Sequence, residues 1–225
     1  MSAAVLDVLV RDPGTAARRA LAGGDAPIAR AALIALLVGG AVFGGVLGSY
    51  RGELQVVYAA AKMPLVLVGA LAVTAPATWA LGVASGRPWT MRSVFALVLV
   101  AAGRASLVLV ALAPLLWLAI DLGAGYHFST FLASVTFAIA GLVALVTLVR
   151  GLGAAGVGIA LAAAVVFLSG LAQTGWALRP WLGRPSVPVH FVRTEAGVGP
   201  LESIAESARL GTGDPSGDSL EGVTP

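Results

Sequence analysis

The sequence predicts an all-α, polytopic integral membrane protein with about five transmembrane helices, and three observations carry that prediction. Of 225 residues, 58% are hydrophobic and only 11% charged. Soluble domains carry about 25% charged residues, so this chain has too little polar surface to solvate a globule. Several apolar runs reach the roughly 20 residues that an α-helix needs to cross the hydrocarbon core. Short polar segments divide those runs and hold nearly all the charge.

Residues 1–26 are mixed in character, with Leu6, Val8, Leu9 and Val10 ahead of an Asp12-Pro13-Gly14 turn and then Arg18 and Arg19. No short apolar core with a small-residue cleavage site comes first, so the stretch does not read as a signal peptide. It is expected to be an amphipathic segment lying at the cytoplasmic surface of the membrane. A helical bundle follows over 27–178.

The first span is predicted at about 28–50. Gly40, Gly44 and Gly48 recur there at spacing four and therefore share one helix face. Small residues on a shared face let a second helix approach closely. Packing within the molecule is the expected use, and homo-oligomerisation is the alternative. Residues 51–62 read as a short amphipathic connector ending in Lys62. The second span, about 63–84, has Pro76 at its middle. A mid-helix proline frees a backbone carbonyl and kinks the helix, and Thr74 or Thr78 is placed to re-satisfy the backbone.

The third span, about 93–120, contains Arg104 and, in its second half, Pro114, a second expected kink. The fourth, about 128–149, is closed by Arg150. The fifth, about 152–178, holds Gly158 between Ala154 and Ala162 at spacing four, and near its end Gln173, a candidate intramembrane polar site alongside Arg104. Prolines and Trp181 in 179–193 suit a chain running along the headgroups, and 200–210 reads as a short helix. The small, acidic stretch 211–225 is expected to be disordered.

The chemistry is mostly exclusionary. With no cysteine there are no disulfides, thiolate ligands or cysteine nucleophiles. His127 and His190 form no spaced metal motif, and no nucleophile elbow, P-loop or paired carboxylate is found. No metal, cofactor or catalytic set is therefore expected, and the chain does not read as an enzyme. The pI near 10 points to membrane lipid headgroups and topology, with no nucleic-acid partner. Counting Arg and Lys gives seven on the side of the N-terminus against five on the other, with Arg209 further off. That count places the N-terminus in the cytoplasm. The membrane is expected to be a cell membrane, the bacterial inner membrane.

Arg104 is the one charge deep inside a predicted span, Arg30 standing at the very start of the first. At 1.5 Å per residue it lies about 16 Å below Ser93, near the midplane. Insertion scales put that at roughly 2.5–3.5 kcal/mol, which a span this rich in Leu and Val can carry. Three placements follow from its chemistry. It can face the bundle and bind carbonyls freed near Pro76 or Pro114, or the Thr and Ser hydroxyls. It can line a polar cavity that holds an anion or a lipid headgroup. Or 93–103 can be re-entrant, leaving Arg104 at the headgroups. The inward-facing placement is the expectation, since a lipid-facing guanidinium has only water defects to satisfy its five donors.

Three stretches, "VRDPGTAARRALAGGD", "GGVLGSYRGELQVVYAAAKMPLVLVGALAVTAPATWALGVASG" and "GLAQTGWALRPWLGRP", give the chain a layout that resembles uncharacterised bacterial multi-span membrane proteins similar to the Yip-type (Ypt-interacting) family. Lys62-x-Pro64-Leu65 and Leu178-Arg179-Pro180 are the most specific elements of the likeness, which covers most of 6–193. The resemblance implies five spans, a cytosolic N-terminus and a role through partner proteins in the membrane, without catalysis. The stretch ahead of the first span is much shorter than the N-terminal domain of the eukaryotic proteins, so no GTPase partner carries over. The function expected is that of an anchor, scaffold or assembly component. The alternative is a transporter or channel for a small anionic or lipidic solute that uses Arg104.

Overall fold

The computed structural model describes residues 3–23 and 25–177. Among the described residues there are seven α-helices and no strand: α1 (Ala3–Arg11), α2 (Pro13–Gly23), α3 (Ala26–Ser49), α4 (Leu54–Ala84), α5 (Met91–Asp121), α6 (Tyr126–Leu152) and α7 (Val157–Ala177). A single 3₁₀ turn, Ala154–Gly156, precedes α7. Helices α3 to α7 are each long and apolar enough to cross a membrane. The chain is thus an all-α, multi-pass membrane protein. The expected headgroup segment 179–193, short helix 200–210 and tail 211–225 lie outside the described residues.

Local chemistry sets the helix starts. Asp25 caps α3 by accepting from the Ile28 N–H, with a proline in the first turn where no N–H is needed. Thr90 caps α5 by accepting from the Ser93 N–H at 3.1 Å. Helix α4 begins at Leu54 and not at residue 63, so most of the expected connector is helix. The reversal before it is compressed into Gly52 and Glu53, both at positive φ. Helices α4 and α5, at 31 residues each, run about 46 Å at 1.5 Å per residue, well beyond a ~30 Å hydrocarbon core.

Helix α3 packs most extensively on α5 and α4, while α7 lies on α4 and α6 on α5. Glycines close both α3 seams. Against α4, a Cβ on Gly48 would lie 2.5 Å from the Gln55 carbonyl oxygen, one on Gly44 would strike the Ala59 carbonyl, and one on Gly40 would lie 3.1 Å from Leu67 Cδ1. The stripe read from the sequence is therefore an intramolecular seam. A second seam, against α5, is closed by Gly39 over Ser106 and by Gly103 over Ala32. Gly158 packs against nothing: a Cβ there would meet no atom within 4 Å. On α7 the small-residue spacing faces outward.

The N-terminal segment is a helical hairpin docked on the bundle. Leu9, Ala16, Ala17 and Ala20 are completely buried, and α2 lies against α5 and α6. Its closeness depends on Gly151, where a Cβ would lie 2.9 Å from Ala17 Cβ and 2.7 Å from Leu97 Cδ1. As a result α5 is buried without interruption from Ala96 to Gly103. More than two full turns are covered on every side.

Candidate functional site

That covering decides the surroundings of Arg104. Helix α5 is unbroken from Met91 to Asp121, so no re-entrant break precedes the arginine. Leu97 packs at Gly151, in the last turn of α6. Arg104, seven residues further along α5, is thus about 10 Å inside that end of the bundle. The run of α5 just before it, 96–103, is covered by protein on every side.

The guanidinium faces protein, but not the prolines. Arg104 Nη2 donates to the carbonyl oxygen of Val10 at 3.3 Å. Val10 sits in the last turn of α1, where carbonyls have no intrahelical donor, and the following Pro13 has no N–H to offer. An arginine at a helix C-terminus also meets the negative end of the helix dipole. The expected acceptors near Pro76 and Pro114 are not used. Helices α4 and α5 continue through those prolines, and the Thr74 and Thr78 hydroxyls donate to the Ala70 and Thr74 carbonyls at 2.7 Å. The carbonyl four residues before Pro76 belongs to Ala72, so neither threonine re-satisfies it.

Arg104 lines a cleft of about 230 Å³ with Pro13 of α2 and Leu142, Val143, Val146, Thr147 and Arg150 of α6. The Arg150 charge repels the Arg104 guanidinium, and the Asp12 carboxylate attracts it. Asp12 is committed elsewhere. Its Oδ1 accepts from the Thr15 N–H at 3.0 Å, capping α2, and that bond holds its pKa below the ordinary carboxylate value. Arg104 Nη1 is buried and has no hydrogen-bond partner. The Thr147 hydroxyl is satisfied by the Val143 carbonyl at 2.7 Å.

The sequence pointed to Arg104 but missed its companions. Arg150 read only as a charge closing the fourth span. The signal was available in the four-residue reversal 122–125, which forces α5 and α6 antiparallel and brings the end of α6 toward the first half of α5. Gln173 is not part of the site: it is on the exposed side of α7, which does not line the cleft. Lys62, expected in a connector, is fully buried in α4, as is Gln55.

A second cleft, of about 440 Å³, lies between Leu81, Ser85 and Arg87 on one side and Gly158, Ile159 and Ala162 on the other. Its arginine is 5.8 Å above the Trp89 ring, within the range of a cation–π contact. Among the described residues, no three His, Asp or Glu side chains converge where a metal could be held. No model of a known protein family, no curated protein and no solved structure matches the chain.

Proposed function

We propose that this protein is a non-enzymatic component of a bacterial inner membrane that anchors or assembles partner proteins, with its N-terminus in the cytoplasm and the α1–α2 hairpin as the presented surface. The observation that supports this is the two-sidedness of the hairpin. Its inner face is completely buried, while Asp7, Arg11, Arg18 and Arg19 are exposed. Asp7 and Arg11 pair at 2.8 Å, and Arg19 reaches Asp25 at 2.6 Å. A charged surface already ordered by the bundle gives up little entropy when a partner docks. The likeness to Yip-type proteins is in keeping with this reading.

Purification of the tagged full chain in mild detergent tests it. A stoichiometric partner is expected, and it should be lost when Arg11 and Arg18 are both changed to Glu. Retention of the same partner by that variant, or no partner at all, would reject the hairpin as the docking surface. The carrier reading, for a small anionic or lipidic solute, draws on the Arg104 cleft. The two glycine-closed seams of α3 weigh against a passage through the bundle centre. Flux into reconstituted vesicles that disappears in Arg104→Gln would favour it.

A further inference from the structure

We infer that the cleft between Arg104 and Arg150 binds the phosphate group of an anionic phospholipid at the hairpin end of the bundle. This inference is independent of any protein partner. Four observations converge on it.

The first is charge. Two guanidiniums, from α5 and α6, share one cleft, and no carboxylate is among its lining residues. The nearby Asp12 carboxylate already caps α2. The second is an unmet donor. Arg104 spends Nη2 on the Val10 carbonyl while Nη1 is buried without an acceptor, and leaving a buried donor unmatched is costly. Nη1 is closed off from the cleft as the side chain stands, so a phosphate oxygen meets it once the guanidinium turns toward Arg150, which lines the same cleft.

The third is the nature of the other wall. Leu142 and Val146 are 62% and 47% exposed, and they line the cleft beside the arginines. On α6 these side chains face lipid. A free anion gains nothing from that apolar surface, whereas a phospholipid lays an acyl chain along it. The fourth is depth. Arg104 lies about two helical turns inside the end of α6, and a long arginine stem can carry its head group to the membrane interface. That interface is where lipid phosphates lie.

The experiment uses the full chain in a non-ionic detergent, with thermal midpoints read as each probe is titrated at constant ionic strength. The probes are dioctanoyl phosphatidylglycerol, dioctanoyl phosphatidylcholine and inorganic phosphate. Phosphatidylglycerol is expected to raise the midpoint saturably. Phosphatidylcholine, whose own cation competes with the arginines, should bind at least about tenfold more weakly. Arg150→Gln should weaken phosphatidylglycerol about tenfold, the loss of one charge-assisted hydrogen bond, and should not lower the lipid-free midpoint, because Arg150 is exposed and its charge repels Arg104. Arg104→Gln should weaken it similarly but also loosens the hairpin, so the Arg150 variant carries the decision. Inorganic phosphate that gives the same saturable shift and competes with the lipid would overturn the assignment to a lipid. Equal responses to both lipids, or undiminished affinity in Arg150→Gln, would overturn the site.

Discussion

A Cβ placed on Gly103 would stand 2.5 Å from the carbonyl oxygen of Ala32, and that backbone-to-backbone approach is what seats α5 against α3. A main-chain oxygen in the middle of a helix cannot move aside as a flexible side chain does. Gly103→Ala should therefore lower stability by about 1–3 kcal/mol or more, seen as a fall in the detergent thermal midpoint. Gly48→Ala, which would meet the Gln55 carbonyl oxygen at the same distance, should behave alike. Gly158→Ala is the control: it meets nothing and gains up to about 1 kcal/mol of helix propensity. A midpoint for Gly103→Ala at or above that of the unaltered chain would show that the α3–α5 seam is not as close as described.

Replacing Arg104 with Leu should leave the five long helices folded and release the hairpin. The change removes the bond to Val10 but also relieves the desolvation of a half-buried guanidinium, so the net loss of stability should be small. The signature is local. Amide exchange over residues 8–20 should accelerate about tenfold, while the buried run 96–103 of α5, still backed by α3, keeps most of its protection. Uniform acceleration through α3 and α5 would instead mean that Arg104 supports the whole bundle.

The start of α2 should be pH-sensitive only in acid. Asp12 accepts from the Thr15 N–H, which lowers its pKa from the ordinary 3.8. A depressed carboxylate contributes its full stabilisation above the unfolded-state value, and that contribution is lost as pH falls through the lower folded value. Hairpin exchange rates should therefore carry no Asp12-dependent change from neutral pH down to about 4, then show one below it. Asp12→Asn, which keeps an acceptor oxygen but cannot titrate, should abolish the acid step. The same step in that variant would assign the titration elsewhere.

The chain contains no cysteine, so single cysteines can be mapped without background. With a lipid-soluble thiol reagent, Cys at 115 and 142 should label strongly, since Leu115 and Leu142 are 61% and 62% exposed. Cys at 98, 100, 101 and 103 should stay silent, because the hairpin, α3 and α6 enclose that part of α5. Labelling of 98–103 at the level of 115 would mean that the hairpin does not cover α5.

The order and nature of the helices were legible in the sequence because a membrane span is a one-dimensional property. Its apolar length must match the bilayer whatever it packs on, and the long helices from Ala26 to Ala177 follow the apolar runs closely. The Gly40, Gly44 and Gly48 face was legible for a similar reason, since spacing four fixes a shared face before any partner is known. What faces that stripe was not, and only the folded bundle distinguishes it from the similar spacing around Gly158, which packs on nothing. The surroundings and partners of Arg104 were hidden as well. Counting residues from Ser93 gives a distance along the helix, but not that the docked hairpin, α3 and α6 enclose 96–103 just ahead of the arginine. The bond from Arg104 to Val10 joins positions 94 residues apart, and the approach of Arg150 depends on how α5 and α6 pack. Such pairings are set by the three-dimensional fit of helix surfaces, to which local hydropathy and spacing are blind. The sequence therefore determined that this chain is a bundle of apolar helices with one arginine deep within a span, and the tertiary structure decided that this arginine belongs to a cleft.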